Sequence, residues 1–231
     1  MKKIICIVGC LFIITKSYTQ NLITNHSFED TLAIGFWTTN MSACFNSSVN
    51  ICSKLKRQAN NTEQINFDVI DSNNCVYLSL FQCHTGWSDY LINKGFKLEK
   101  GKQYEFSFYI TPSDSCGYYS KQIDVLFCSS NDLSKNLSCS TPGKIYLSPT
   151  RSFDISSFRQ AGQEGKWIKL SCVFTAKGTE NTLVVGRFFS DKKVRKIVST
   201  RVLNYKPSKH FIAENFCSAD YYLDNFSLVE K

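Results

Sequence analysis

An alternation of apolar and polar residues with a period of two most constrains how this chain can fold. It runs through YEFSFYI and WIKLSCVF and recurs in CVYLSLFQC, QIDVLFC, NTLVVGRFF and YYLDNFSLV. Successive side chains of a strand point to opposite faces of a sheet, so the pattern predicts strands that bury one face. Clusters of Gly, Asn, Ser and Asp separate these segments. Since no segment shows a convincing helical period with caps, the sequence predicts an all-β, antiparallel β-sandwich.

The same alternation predicts which side chains form the core. Aromatic residues make up 14% of the chain, so most of them must lie inside. The stretch from Ser129 to Gly165 is polar and rich in Ser, and it predicts long loops around one or two short strands. The residues that we expect inside are Tyr104, Phe106, Phe108, Ile168, Leu170, Phe174 and Trp37.

Residues 1–19 have the pattern of a Sec signal peptide. Lys2 and Lys3 precede an apolar run that is too short to span a bilayer, and Ser17-Tyr18-Thr19 forms a small-residue exit. We expect residues 20–231 to form one β-sandwich domain. No later stretch is long and apolar enough to cross a membrane, so the predicted product is secreted, periplasmic or at the cell surface.

The cysteine count and the lipobox-like start leave two questions open. Ile7-Val8-Gly9-Cys10 resembles a lipobox, which offers a lipoprotein as the alternative to a cleaved signal peptide. Of the 11 cysteines, two lie in residues 1–19, and an exported chain with nine others predicts disulfides with one cysteine left over. The candidate pairs are the closest in sequence, Cys44 with Cys52 and Cys75 with Cys83, but spacing does not determine connectivity. No zinc-type spacing occurs.

The segment 191–209 concentrates positive charge. It holds seven basic residues against the single acid Asp191. One interpretation is a solvated loop that keeps the protein soluble. The other is a surface for an acidic partner, such as uronate or sulfated glycans or lipopolysaccharide phosphates. Nucleic acid is not an expected partner, because the chain is predicted to be exported and contains no known nucleic-acid-binding motif.

Four segments, taken in order, carry a resemblance to a known family. They are NLITNHSFED, LEKGKQYEFSFYI, GKWIKLSCVFTAKGTENTLVVGRF and YYLDNFSLV. Together they resemble the CenC-type carbohydrate-binding modules, which are galactose-binding-like jelly rolls, and are closest to versions found ahead of OmpA-like domains in bacterial envelope proteins. The resemblance covers essentially all of residues 20–231. It implies that the opening strand and the closing strand are neighbours in the sandwich. It also implies that Trp167, which stands where the family has a buried Trp, lies in the core.

The resemblance also implies one structural calcium ion. Many members of the family bind it with the acid of the opening Phe-Glu pair and the first acid of the closing strand, which correspond to Glu29 and Asp224. Carboxylates and backbone carbonyls are the hard oxygen ligands that calcium prefers. Asn225 stands where a second Asp is common, which lowers the charge of the site. The alternative is that both acids are strand-end residues that bind backbone groups.

Three aromatic residues are candidates for ligand contact. Trp87 lies in HTGWSDY, and Tyr118 and Tyr119 lie in SDSCGYYSK, which are connections rich in Gly and Ser. Exposed aromatic rings stack on sugar rings, and loops carry ligand contacts more often than strand interiors do. The alternative is that these rings only cover the edge of the sandwich.

The sequence favours binding over catalysis. After residue 19 it has only three histidines, and the nucleophile-elbow, zinc-protease and phosphate-loop motifs do not occur. We therefore expect an exported, non-catalytic module that binds a glycan of the cell envelope or the extracellular space. The alternative is a structural or adhesive envelope protein that binds another protein. The scattered acids leave a polysaccharide hydrolase or lyase as the third hypothesis.

Overall fold

The computed structural model of this chain describes residues 20–30, 37–40, 51–53, 74–82, 88–113, 118–138, 144–159, 163, 165–188, 194–195 and 218–231. The predicted signal peptide, the candidate residue Trp87 and the basic segment 191–209, apart from residues 194–195, lie outside the described residues. Its strands in chain order are β1 (Trp37–Asn40), β2 (Ile51–Ser53), β3 (Asn74–Gln82), β4 (Tyr90–Lys94), β5 (Gln103–Pro112), β6 (Tyr119–Ser120), β7 (Gln122–Cys128), β8 (Leu137–Ser138), β9 (Lys144–Ile145), β10 (Arg151–Asp154), β11 (Ile168–Thr175), β12 (Thr182–Gly186), β13 (Val194–Arg195) and β14 (Ser218–Glu230).

Two five-stranded sheets form the body of the molecule. Sheet A has the order β1-β4-β12-β7-β10, and sheet B has the order β11-β5-β14-β3-β2. The neighbouring strands in both sheets are antiparallel. The predicted antiparallel β-sandwich of the jelly-roll type is therefore confirmed.

Aromatic rings from both sheets fill the space between them. The ring centroid of Phe127 in sheet A lies 5.2 Å from that of Phe106 and 4.5 Å from that of Phe174, both in sheet B. Phe108 and Phe153 meet across the same space at 5.9 Å. Such ring pairs contribute roughly 0.5–1.5 kcal/mol each beyond the area that they bury.

The predicted core is confirmed for the central strands and only partly for the edge strand. Tyr104, Phe106, Phe108 and Trp37 are buried. Ile168, Leu170 and Phe174 are half-buried and pack against the core from β11, because β11 is an edge strand of sheet B. Trp167, which comes just before β11, is also half-buried instead of lying in the core as predicted.

The opening segment lies beside the closing strand, as the resemblance implied, but it is not a strand. Residues 23–28 form turns, and Asn25 and Phe28 have φ angles of 51° and 60°. Asn21 links the segment to β14, since its Nδ2 atom donates to the Phe226 carbonyl and its Oδ1 atom accepts from the Leu228 amide, both at 2.9 Å. The Leu22 amide also donates to the Leu228 carbonyl at 2.9 Å. The neighbour relation is correct and the predicted strand at 21–30 is wrong, because a side chain replaces part of the strand pairing.

A bulge in β14 explains the LDNF sequence. The register with β5 shifts between Asp224 and Ser227, and Asn225 has a φ of 49°, a conformation that Asn tolerates better than most residues. The Phe226 amide donates to the His26 carbonyl at 2.9 Å instead of to a neighbouring strand. The bulge turns the Phe226 ring into the core, where it stacks on Phe108 at 5.3 Å.

A second apolar layer covers the outer face of sheet A. Helix α1 (Ser130–Asn136) and the β8–β9 hairpin place Leu133 and Ile145 over Tyr90, Leu126 and Val184. The Ser129 side chain caps the helix by accepting a hydrogen bond from the Asp132 amide at 3.0 Å. The helix corrects the prediction of loops in this stretch, which also contains β10 and a 3-10 helix (Ser156–Arg159). Within the described ranges, no helix has the length and apolar character needed to cross a membrane.

Candidate functional site

The outer face of sheet B has a different chemistry from the covered outer face of sheet A. Along β3, Val76, Leu78 and Leu80 point into the core, so the alternate residues point outward. The outward residues of three adjacent strands, which we call the polar face, are Tyr77 and Ser79 on β3, Asp220 and Tyr222 on β14, and Tyr109 and Thr111 on β5. Tyr222 pairs with Tyr77 on one side and with Thr111 on the other.

Three tyrosine rings give the polar face its aromatic part. The rings of Tyr77 and Tyr222 meet edge to face at 5.9 Å. Tyr222 is buried, whereas Tyr77 and Tyr109 are half-buried and keep part of their surface in solvent. The Lys169 ammonium lies 5.9 Å from the centroid of the Tyr109 ring, within cation–π range. The exposed part of the face thus combines ring surface with a positive charge.

Two buried acids lie at one end of the polar face. Asp220 pairs with Ser79 in the β14–β3 register, and the Asp89 amide donates to the Ser79 carbonyl at 2.7 Å. Asp220 is 2% exposed and Asp89 is 7% exposed. The Ser218 hydroxyl makes a very short hydrogen bond to Asp220 Oδ2.

Burial changes the ionisation of this group of side chains. Burial raises the pKa of Asp89 to about 7, and the nearby Asp220 carboxyl adds to the shift against a backbone hydrogen bond from Ser79. Burial also raises the pKa of Asp220, although hydroxyls of Ser218, Ser79 and Tyr77 act against the shift. Burial and the adjacent Asp220 raise the pKa of Tyr77, so its hydroxyl stays protonated.

Arg187 and Tyr118 border the same end of the polar face. The Arg187 Nε atom donates to the Ser88 hydroxyl at 2.8 Å, and its guanidinium lies 5.2 Å from the Phe81 ring centroid. Tyr118 contacts Phe81 from another side, with ring centroids 6.0 Å apart. Its amide donates to the Ser218 carbonyl at 3.0 Å. Segments distant in sequence therefore meet beside the two acids.

The three predicted ligand residues have different surroundings. Tyr118 is half-buried beside the polar face, whereas Tyr119 is 2% exposed in β6 and packs in the main core. Trp87 directly precedes Ser88, outside the described residues. Their contact with a ligand stays a prediction.

Sequence reasoning did not single out Tyr77, Asp89, Asp220 or Tyr222. The available signal was polar residues at alternate positions of the predicted strands CVYLSLFQC and YYLDNFSLV.

Glu29 binds the first residue of β3, and Asp224 lies in the neighbouring strand β14. The Oε1 atom of Glu29, which is exposed, accepts a hydrogen bond from the Asn74 amide at 2.7 Å. Asp224 is fully buried, and its Oδ1 atom accepts from the Asn225 amide at 2.7 Å. Its neighbour Leu223 pairs with Val76, two residues after Asn74. Among the described residues, no group of three or more His, Cys, Asp and Glu side chains could hold a metal ion, so a calcium site at Glu29 and Asp224 would need backbone carbonyls.

The cysteines that the structure describes are mostly buried within strands. Burial raises the pKa of the Cys128 thiol to about 11, and it also raises the pKa of the Cys172 thiol. Both thiols are free and are weak nucleophiles at neutral pH, because the thiolate is the reactive form. The backbone register places Cys52 opposite Cys75, and the predicted partners Cys44 and Cys83 lie outside the described residues.

The class that these sheets define is an antiparallel β-sandwich of the jelly-roll type, and several carbohydrate-binding modules are among the solved structures that are similar to it. The enzymatically active domain of tailspike protein 4 from bacteriophage CBA120 is 11% identical with a TM-score of 0.46, over 91% of this chain and 21% of the tailspike chain. A xylanase 10B fragment with CBM22-1 and GH10 modules from Clostridium thermocellum, complexed with xylohexaose, is 10% identical with a TM-score of 0.42, over 92% of this chain and 28% of the fragment.

A single-module structure is similar to the chain over its full length. The CBM22-1 xylan-binding domain of Xyn10C from Paenibacillus barcinonensis is 11% identical with a TM-score of 0.40, over 92% of this chain and 95% of that domain. By contrast, the chain spans less than a third of the tailspike and xylanase structures. No known sequence family and no curated protein matches the chain. The more specific resemblance to CenC-type modules stays a prediction.

Proposed function

We propose that this protein is a non-catalytic module that binds a glycan on the polar face of sheet B. The observation that carries the proposal is the difference between the two outer faces of the sandwich. An apolar layer of α1 and the β8–β9 hairpin covers sheet A, whereas sheet B carries half-buried tyrosine rings among carboxylates and hydroxyls. A ligand that needs both ring surface and hydrogen bonds therefore fits sheet B.

A sugar supplies the complementary chemistry. The C–H groups on one side of a pyranose ring stack on an aromatic ring, while its hydroxyls bind carboxylates, amides and hydroxyls around the ring. Tyr77 and Tyr109 are the stacking residues of this proposal, and Lys169 beside Tyr109 provides a hydrogen-bond donor. Tyr118 extends the ring surface toward Asp89 and Asp220.

The proposal includes export and an ion. The sequence of residues 1–19 supports secretion to the periplasm, the cell surface or the medium. The carboxylates of Glu29 and Asp224 and the carbonyls of the opening segment fit calcium chemically, since they are all hard oxygen donors. In this proposal they hold a structural ion that joins the opening segment to β14. The basic segment 191–209 would favour acidic glycans over neutral ones.

Glycan binding by a polar-face variant and by a matched control variant tests the glycan proposal. On a glycan array, we expect the protein to bind a limited set of polysaccharides. Tyr109→Ala should weaken binding of the best ligand about tenfold by titration calorimetry, because loss of one stacking ring costs roughly 1–1.5 kcal/mol. Tyr146→Ala is the control, since Tyr146 is 68% exposed but lies next to β9, away from the polar face. No binding to any glycan, or an equal loss in both variants, would contradict the proposal.

The same ligands test the absence of catalysis. After prolonged incubation with a bound polysaccharide, we expect no new reducing ends and no unsaturated products. Release of either product, lost on substitution of an acid of the polar face, would show that the protein is a hydrolase or a lyase.

A further inference from the structure

Asp89 and Asp220 are two buried carboxylates held close together by Ser79. Asp220 lies opposite Ser79 in the sheet, and the Ser79 carbonyl accepts the Asp89 amide at 2.7 Å. The two side chains are near enough for the Asp220 carboxylate to contribute to the raised pKa of Asp89. Both sites are at least nine-tenths buried.

Neither carboxylate forms an ion pair with any residue in the described part of the chain. Arg187, which borders this end of the polar face, directs its Nε atom to the Ser88 hydroxyl and places its guanidinium on the Phe81 ring. Two buried carboxylates without a counter-charge are costly, and the raised pKa of Asp89 reflects this cost. A positive ligand at this position would remove it.

One carboxylate oxygen at this place points to a ligand. Asp220 Oδ1 is buried and makes no hydrogen bond among the described residues. Buried polar atoms in native proteins nearly always have a partner, so each such exception needs an explanation. The hydroxyls of Ser79, Ser218 and Tyr77 surround the same carboxylate.

We propose that Asp89 and Asp220 bind a divalent metal ion of the calcium type at the buried end of the polar face. The donors available there are carboxylate and hydroxyl oxygens, which are hard ligands that suit calcium and do not suit zinc or copper. Asp89 and Asp220 supply the charge, while Ser79 and water molecules complete the coordination. This site is separate from Glu29 and Asp224, because Asp224 lies further along β14, opposite Tyr109.

Terbium luminescence and calcium stoichiometry test this site. Terbium replaces calcium and emits when a nearby tyrosine transfers energy to it, and the Tyr77 and Tyr222 rings lie on the same face. The measurements use the full chain with Glu29→Gln, so that an ion at Glu29 does not contribute. We expect sensitised emission and one bound calcium in this protein. Adding Asp89→Asn or Asp220→Asn should abolish the emission and lower the stoichiometry by one.

Asp124→Asn is the matched control, because Asp124 is a fully buried aspartate in sheet A whose carboxylate binds Gln122 and the Phe188 amide. It should leave both readouts unchanged. Circular dichroism shows whether each variant folds. If one aspartate variant does not fold, the other and Ser79→Ala decide the question, and Ser79→Ala should weaken calcium binding several-fold.

Three results would overturn the site. They are no ion bound by the Glu29→Gln protein, an unchanged stoichiometry in the folded aspartate variants, or an equal loss in Asp124→Asn. A protonated carboxyl band in the infrared spectrum at neutral pH, lost in Asp89→Asn and insensitive to calcium, would also overturn it. That result would mean that the two acids share a proton instead of an ion.

Discussion

At the scale of single residues, the connection between β11 and β12 depends on Gly178 and Glu180. Glu180 is 3% exposed, and its carboxylate accepts hydrogen bonds from the amides of Lys177, Gly178 and Thr179 at 2.8–3.0 Å. Gly178 has a φ of +86°, and a Cβ atom there would lie 2.7 Å from the Lys100 Cβ atom. The AKGTE sequence therefore folds one way, because glycine alone allows both the backbone angle and the close approach.

Gly178→Ala should lower the free energy of unfolding by about 2–5 kcal/mol. The left-handed backbone costs roughly 1–2 kcal/mol for alanine, and the contact with Lys100 adds an overpacking cost of about 1–3 kcal/mol. Gly101→Ala is the control, since Gly101 has a φ of +82° but nothing within 4 Å of the added atom. Urea unfolding of both variants gives the comparison. Equal losses would mean that the close approach to Lys100 contributes nothing.

At the scale of elements, the bulge in β14 decides which side chains enter the core. A regular strand would place Leu223 and Phe226 on opposite faces, since they are an odd number of residues apart. The shift at Asn225 brings both of them, together with Leu228, into the main core. Phe226 then contacts Phe28, Trp37 and Phe108, so the opening segment and both sheets meet at one ring.

Asn225→Val and Asn225→Gly should differ in stability by about 1–3 kcal/mol, with the valine variant less stable. Both variants lose the amide side chain, but only valine resists the φ of 49° that the bulge requires. Thermal and urea unfolding measure the difference. A valine variant as stable as the glycine variant would show that the bulge moves to another residue at no cost.

The alternation predicted β3, β5, β7, β11 and β14, because apolar and polar residues alternate along a strand that buries only one face. It did not predict α1, since a seven-residue helix with the single buried residue Leu133 shows no measurable period. The polar face was also not predictable. The partner sheet determines which face of the YLSLF strand is exposed to solvent. Asp89 and Asp220 come close only because β14 pairs with β3, which lies more than a hundred residues earlier in the sequence.

At the scale of the whole molecule, the opening segment and β14 are joined by backbone groups and by the acids that we propose as calcium ligands. Calcium should raise the Tm, and EDTA should lower it, because an ion bound only by the folded chain stabilises it by about 2.7 kcal/mol at 100 times Kd. Asp224→Ala should reduce this response. Asp30→Asn is the control, since Asp30 is an exposed acid of the same segment. An identical melting curve in EDTA, with no metal by elemental analysis, would refute the ion.

The position of β14 in sheet B has a consequence for biogenesis. β14 lies between β5 and β3, yet it follows every other described strand in the sequence. Until residues 218–230 have left the ribosome, β5 and β3 each present an open edge, and such edges bind other chains. The sheet therefore closes only after synthesis of this region. Cells that make this protein would need holdase chaperones to protect the half-built sheet, and a truncation before residue 218 should yield aggregates instead of a smaller sandwich.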